Sequence, residues 1–149
     1  MTPADTFLAA LADPACAITL VRCRRHRADP AWGIPPRRHG DHLLYLMQRG
    51  ALDWECDGRT QRQEAGQALW VGPLVRHRCR PAGAPPVFHV LRVGLRRQGD
   101  LLIAPSPIAL AEAAGDLVGG FVAVEDAAAF AGPCQEWRLR AALLGLFAA

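Results

Sequence analysis

Residues 36–77 read PRRHGDHLLYLMQRGALDWECDGRTQRQEAGQALWVGPLVRH, a series of short strand-like segments, each closed by a turn signal. Residues 43–47 (LLYLM) are apolar at every position, the pattern of a strand buried on both faces. Beyond Gly50, Leu52, Trp54 and Cys56 alternate with Asp53, Glu55 and Asp57, so one face points inward and the other to water. Asp57-Gly58 is the strongest hairpin signal, because a two-residue turn of this composition matches the twist of the strands it joins. The returning segment, 59–64, is polar on both faces and predicts an exposed strand. Ala65-Gly66 leads into a strand over 67–71, and Gly72-Pro73 leads out of it. Strands of this length and spacing predict a small antiparallel barrel or jelly roll. Such a barrel can hold a small molecule among its inward side chains.

Working outward, Arg76, Arg78 and Arg80 alternate with His77 and Cys79, residues 81–86 form a loop, and 87–95 form a long strand. Val87, His89, Leu91, Val93 and Leu95 share one face of that strand. Upstream, 15–25 reads as a first strand, and 28–36 (ADPAWGIPP) as an extended crossing of the barrel mouth that carries Trp32 and Ile34. Thr2-Pro3 supplies a cap and first position for a helix to about residue 12. After Gln98 alanine and leucine dominate. A helix is expected over 108–117, broken by Gly119-Gly120, and a last helix from about Cys134, after Gly132-Pro133. Trp137, Ala141, Leu144 and Phe147, flanked by Leu143 and Leu146, give that helix an apolar stripe. The chain thus divides into a barrel, 1–98, and a helical segment, 99–149, packed on it. The stripe predicts pairing with a second copy.

At 149 residues the chain is expected to be one domain. The net charge of +3 is too small to argue for nucleic-acid binding, although all seventeen basic residues are arginine. The cluster Arg22, Arg24, Arg25, Arg27, Arg37 and Arg38 reads as a solvated strand face or as edge protection. No run approaches the ~20 apolar residues that span a bilayer, and the start, MTPADTFLAALADP, lacks the basic region of a secretory signal. Five scattered cysteines without a Cys-x-x-Cys pair predict buried, inert thiols in a reduced, cytoplasmic protein.

The order His39, His42, Gly50, Asp57-Gly58, Gly66, Gly72-Pro73, His77 resembles the two motifs of the cupin superfamily. Metal-dependent cupins carry His-x-His and a Glu in the first motif and one more His in the second. Here His39 and His42 are three apart, which on one extended strand points them to opposite faces, and Leu46, Met47 and Gln48 stand where the Glu would be. No cofactor is therefore expected; His39, His42 and His77 are the set if a metal were held. Within the superfamily the chain is more similar to the N-terminal sensing domain of AraC-type transcription regulators. The residues that carry this are Trp32 with Pro36; Arg38-His39 through Asp41-His42 into Leu43-Leu44-Tyr45-Leu46; Gly50; Asp57-Gly58; Gly66; and Gly72-Pro73 with His77. Trp137-Arg138-Leu139-Arg140 with Leu143-Leu144 is similar to that family's linker helix.

The resemblance implies a mainly β fold, a cupin-like double-stranded β-helix (jelly roll) barrel followed by C-terminal α-helices. It also implies a small-molecule effector in the barrel and a homodimer joined through the helices. DNA would be reached only through a helix-turn-helix domain missing here; the end at Ala149 reads as an excised sensing domain or a stand-alone relative. In this reading Trp54, Trp70, His77 and His89 line the lumen, and Trp32 and His39 lie on the segment covering its mouth. Indole faces beside imidazoles suit a sugar or a small aromatic compound. Arg37 and Arg38 could reach an anionic effector. Plainer roles stand beside these: core filling for Trp54 and Trp70, a core hydrogen bond for His89, and surface solvation for Arg37 and Arg38. The stretch up to Trp32 is expected to fold over an occupied pocket. The reading involves no catalysis. Its alternatives are a small metal-dependent cupin enzyme (an oxygenase or isomerase) and a pairing module whose barrel is filled by its own side chains.

Overall fold

A computed structural model of the chain describes residues 8–9, 11–102, 108–113, 116–130 and 132–148. Among the described residues ten strands run in the order β1 (Cys16–Arg27), β2 (Ile34–Arg37), β3 (His42–Arg49), β4 (Ala51–Cys56), β5 (Arg59–Glu64), β6 (Gln67–Val71), β7 (His77–Pro81), β8 (Val87–Arg97), β9 (Asp100–Leu101) and β10 (Ile108–Glu112). Two helices follow, α1 (Leu117–Ala129) and α2 (Gln135–Ala148). The large sheet has the order β1-β8-β3-β6-β10, with β9 paired to β8, and the small sheet has the order β2-β7-β4-β5. Every pairing is antiparallel. This interleaved order across two facing sheets is the double-sheet jelly roll that the turn spacing predicted.

The turns explain the register. Asp57 and Gly58 take φ of 46° and 80°, the left-handed pair that a two-residue hairpin between β4 and β5 demands. Gly50 takes φ of 75° between β3 and β4, where a Cβ would meet Pro86 Cα at 3.0 Å. Strand β3 is buried at six successive positions from His42 to Met47, because both of its faces are covered. Leu43, Tyr45 and Met47 face the small sheet and pack with Leu52, Trp54, Cys56, Leu69, Phe88 and Val90. Leu44 and Leu46 face the helices and pack with Leu91, Val93, Leu95, Phe121, Leu143 and Leu146. The large sheet therefore divides two cores.

Several expectations need correction. The segment over 108–117 is not a helix: Ile108–Glu112 forms strand β10 on the edge of β6, with Ile108 and Leu110 turned toward the inner core. The large sheet thus draws strands from beyond residue 98. Alanine at the intervening positions is apolar too, which hid the two-residue period. Gly119-Gly120 does not break a helix but lies in the first turn of α1, capped by the Asp116 carboxylate, which accepts from the Gly119 amide at 2.8 Å. A Cβ on Gly120 would meet Leu146 at 2.8 Å, so this glycine lets the two helices approach. In α2 the buried face carries Arg140, Leu143 and Leu146, whereas Trp137 is 62% exposed; the side chain of Phe147 is not among those described. The return strand β5 is not wholly exposed, since Gln63 is fully buried. Residues 8–9 and 11–12 are helical, while most of the expected N-terminal helix lies outside the described residues.

Candidate functional site

The inner faces of the two sheets carry a continuous train of rings. Trp32, on the crossing between β1 and β2, lies 5.4 Å from both His26 and Phe88, centroid to centroid. Phe88 lies 5.7 Å from Tyr45, and Tyr45 meets Trp54 edge-on at 4.8 Å. Trp54 lies 6.3 Å from His77, and His77 lies 5.4 Å from His39. Tyr45, Trp54, Phe88 and His77 are all buried, so the deep part of this train is packed wall.

The train opens where edge strands β1 and β2 face each other. A cavity of about 120 Å³ lies there, lined by Arg22, Arg24, His26, Trp32, Gly33, Ile34, Arg37, Tyr45, Phe88 and Val90. It is smaller than the ~300–1,000 Å³ of sites for drug-sized ligands and has room for no more than a single ring. A β-bulge builds the cationic side of this mouth. The register of β1 on β8 shifts between Leu20 and Arg22, and Val21 bulges outward, 48% exposed. Before the bulge Ile18 and Leu20 pack toward the helices, and after it Cys23 takes that face. The extra residue reverses the alternation and turns Arg22, Arg24 and His26 inward.

Burial disfavours charge on the imidazoles of this core. Burial first, then Arg92 and Arg37, hold His39 down to about 4. His77 is lowered by burial and opposed by its hydrogen bond to Val75, with Arg37 and Arg92 lowering it further. His77 Nδ1 donates to the Val75 carbonyl at 3.0 Å, which leaves Nε2 as an acceptor, buried and without a hydrogen-bond partner. The Nε2 of His39 and of His26, and Nε of Arg37, are likewise buried and unpartnered. Burial and then Arg24 and Arg22 lower His26.

The structure separates the residues singled out in the sequence. Trp32, His39, Trp54 and His77 share the inner core, but of these only Trp32 lines the mouth cavity. His77 instead lines a second cavity of about 130 Å³ with Pro36, Glu55, Gly58, Arg76 and Arg78. Trp54 uses its indole N–H on Gln63 at 3.1 Å. Trp70 and His89 are not lumen residues: they lie on the opposite face of the large sheet. Trp70 packs in the helix-side core, and His89 sits 5.3 Å from the Phe121 ring of α1. The strand phase of β8 decides this, since its inward set is Phe88 and Val90. The arginine cluster is likewise not only solvated surface, because Arg22, Arg24 and Arg37 line the cavity. Sequence reasoning reached Arg37, as a contact for an anionic effector, but missed Arg22 and Arg24, with His26, Tyr45 and Phe88. The clash of phase between Ile18/Leu20 and Cys23 was the one available signal.

A metal does not fit here. His42 lies on the helix side, donating from Nε2 to the Leu102 carbonyl at 2.6 Å with its ring edge-on to Trp70, so it cannot join His39 and His77. Among the described residues no three His, Cys, Asp or Glu side chains are grouped to hold an ion. A larger concavity of about 510 Å³ lies on the small sheet, over Asp53, Glu55, Arg62 and Arg78. Four of its charges pair with one another, Asp53 with Arg62 at 2.9 Å and Glu55 with Arg78, while Arg80 on the same wall stands outside these ion pairs. Among the described residues no helix is long and apolar enough to cross a membrane.

Residues 20–149 match the family described as the AraC-like ligand binding domain. The fold is also similar to that of the protein YhaK from Escherichia coli, with a TM-score of 0.53 and 18% identity, covering 67% of this chain and 46% of that one. A single-site variant of apo ToxT from Vibrio cholerae gives a TM-score of 0.53 at 9% identity, covering 91% of this chain and 55% of that one. The chain thus spans about half the length of each. At these identities the likeness concerns the fold alone, a cupin-like sandwich of antiparallel sheets followed by two helices. No curated protein sequence is similar to the chain at a significant level.

Proposed function

Because this chain belongs to the AraC-like ligand-binding domain family, we propose that it senses a small effector in the mouth cavity between β1 and β2 and relays its occupancy through the C-terminal helices. The single observation that supports this most is the construction of β1. Its inward residues Arg22, Arg24 and His26 line the cavity, while its outward Cys23 sits against α1, with Sγ 3.6 Å from the Phe121 carbonyl. A ligand that shifts β1 therefore shifts a strand on which a helix rests. For a signal to pass, the ligand must bind two arrangements of that pair unequally. The effector is a sugar or a small aromatic compound held by Trp32, and the rings of His39, Trp54 and His77 set the shape of the core behind it. The protein has no catalytic role, and the signal reaches DNA through a separate DNA-binding domain.

Two copies pair through the helices. Val118 and Val122, one turn apart on α1, are 38% and 45% exposed, and Trp137 on α2 is 62% exposed; large apolar side chains left in water in this way mark an interaction surface.

A thermal-shift screen of sugars and small aromatic compounds tests the sensing role, since any ligand confined to the folded state raises the melting temperature. A hit whose shift is abolished by Trp32→Ala, and which alters hydrogen exchange over 117–129, supports the proposal. A hit unaffected by Trp32→Ala, or a broad screen without any shift, sinks it.

A further inference from the structure

We propose that the mouth cavity selects a small monocarboxylate, an organic acid whose apolar or planar body is no larger than one ring. This rests on the sensing role proposed above and narrows its ligand.

The wall of this cavity is rich in hydrogen-bond donors. Arg22, Arg24 and Arg37 converge on it from two facing strand edges, and none has an ion-pair partner among the described residues. No aspartate or glutamate lines the cavity. Guanidinium groups are donors only, with a planar fork that matches carboxylate oxygens. A sugar hydroxyl needs acceptors as well as donors, and this wall has few side-chain acceptors to give. A carboxylate is all acceptor, and it gains charge-assisted bonds from the same groups.

Two further observations agree. Arg37 Nε and His26 Nε2 are buried without a hydrogen-bond partner, an arrangement that costs free energy until something fills it. Elsewhere Arg92 donates to Asp41 at 2.6 Å and Arg62 to Asp53 at 2.9 Å, whereas the side-chain bond of Arg37 runs to the Tyr45 hydroxyl, which leaves its Nε free for a ligand. The remaining walls, Trp32, Tyr45 and Phe88, are rings. They favour an apolar body on the acid and disfavour a bare inorganic anion, whose whole surface is hydrated. The cavity volume of about 120 Å³ then limits that body to a ring or a short chain.

The test titrates the full chain with benzoate, phenylacetate and hexanoate, each against its own amide, and with inorganic phosphate, following intrinsic tryptophan fluorescence. The expected result is that at least one acid binds at least about tenfold more tightly than its amide, with affinity falling as salt screens the charge. Arg24→Gln, an exposed position on the edge strand, should weaken that acid about tenfold, as loss of a charge-assisted bond does; Arg37→Gln should do the same if it folds. The proposal is overturned if every amide matches its acid, if none of the acids saturates, if phosphate binds as tightly as the best acid, or if Arg24→Gln changes nothing. Neutral sugars or amides that bind while acids do not would remove this inference and leave the sensing role standing. Failure of every compound in both screens would remove both.

Discussion

Gln63 sits fully buried in a strand otherwise polar on its surface, and its amide joins the two sheets. Its Oε1 accepts from the Trp54 indole at 3.1 Å, and its Nε2 donates to the carbonyls of Tyr45 at 2.8 Å and Gln67 at 2.9 Å. Replacing it by leucine would strand one donor and two acceptors in the core. Gln63→Leu should therefore lose about 3 kcal/mol of unfolding free energy, read from urea denaturation. The histidines set a pH dependence of definite sign. His42, His77 and His89 are lowered by burial, and His39 is brought down to about 4, so between there and 6.5 the unfolded chain binds more protons than the folded one. Stability rises with pH across that window and is level above it. Melting temperature measured from pH 7 down to pH 4 should fall steadily, and His39→Gln should flatten part of the slope. Of the thiols the sequence suggested were buried, burial pushes Cys23 and Cys79 up to about 12 and Cys56 to about 11, but Cys134 is exposed.

At the scale of elements, the bulge in β1 and the clamp from α2 matter most. One inserted residue at Val21 decides that Arg22 and Arg24 reach the cavity and not the helices. A propensity reading of 15–25 finds the strand but cannot find that reversal, because a bulge is specified by the partner strand it fits. Helix α2 holds the beginning of the chain through Arg140, which is 4% exposed. Its Nη1 donates to the carbonyls of Leu11 at 3.0 Å and Asp13 at 3.1 Å, and its Nη2 to that of Cys16 at 2.7 Å. An arginine in an apolar helix reads from sequence as surface; here it satisfies the carbonyls of Leu11 and Asp13, ahead of β1, and of Cys16, the first residue of that strand. Arg140→Met should cost about 2–4 kcal/mol of stability, and hydrogen exchange should show residues 11–16 losing protection ahead of the strands. Equal loss across all strands would mean that the clamp has no local role.

At the scale of the molecule, the large sheet is a partition, with a ligand-sized opening on one side and the helices on the other. Pairing through those helices predicts a concentration-dependent dimer in sedimentation velocity, and Val122→Arg combined with Trp137→Glu should shift it to monomer while leaving the circular dichroism spectrum unchanged. A dimer indifferent to both substitutions would place the interface elsewhere. What the sequence by itself determined was the jelly roll: its turns need particular φ values at Asp57, Gly58 and Gly50, and its strands need the two-residue alternation, both local requirements written in adjacent residues. Which side chains meet was decided only by tertiary structure. Facing direction in a strand depends on a phase that one bulge reverses, and burial on a second face depends on helices far along the chain. For that reason Trp70 and His89, plausible as lumen residues from their neighbours, lie on the helix-side face of the sheet, while arginines that read as solvated surface line the cavity.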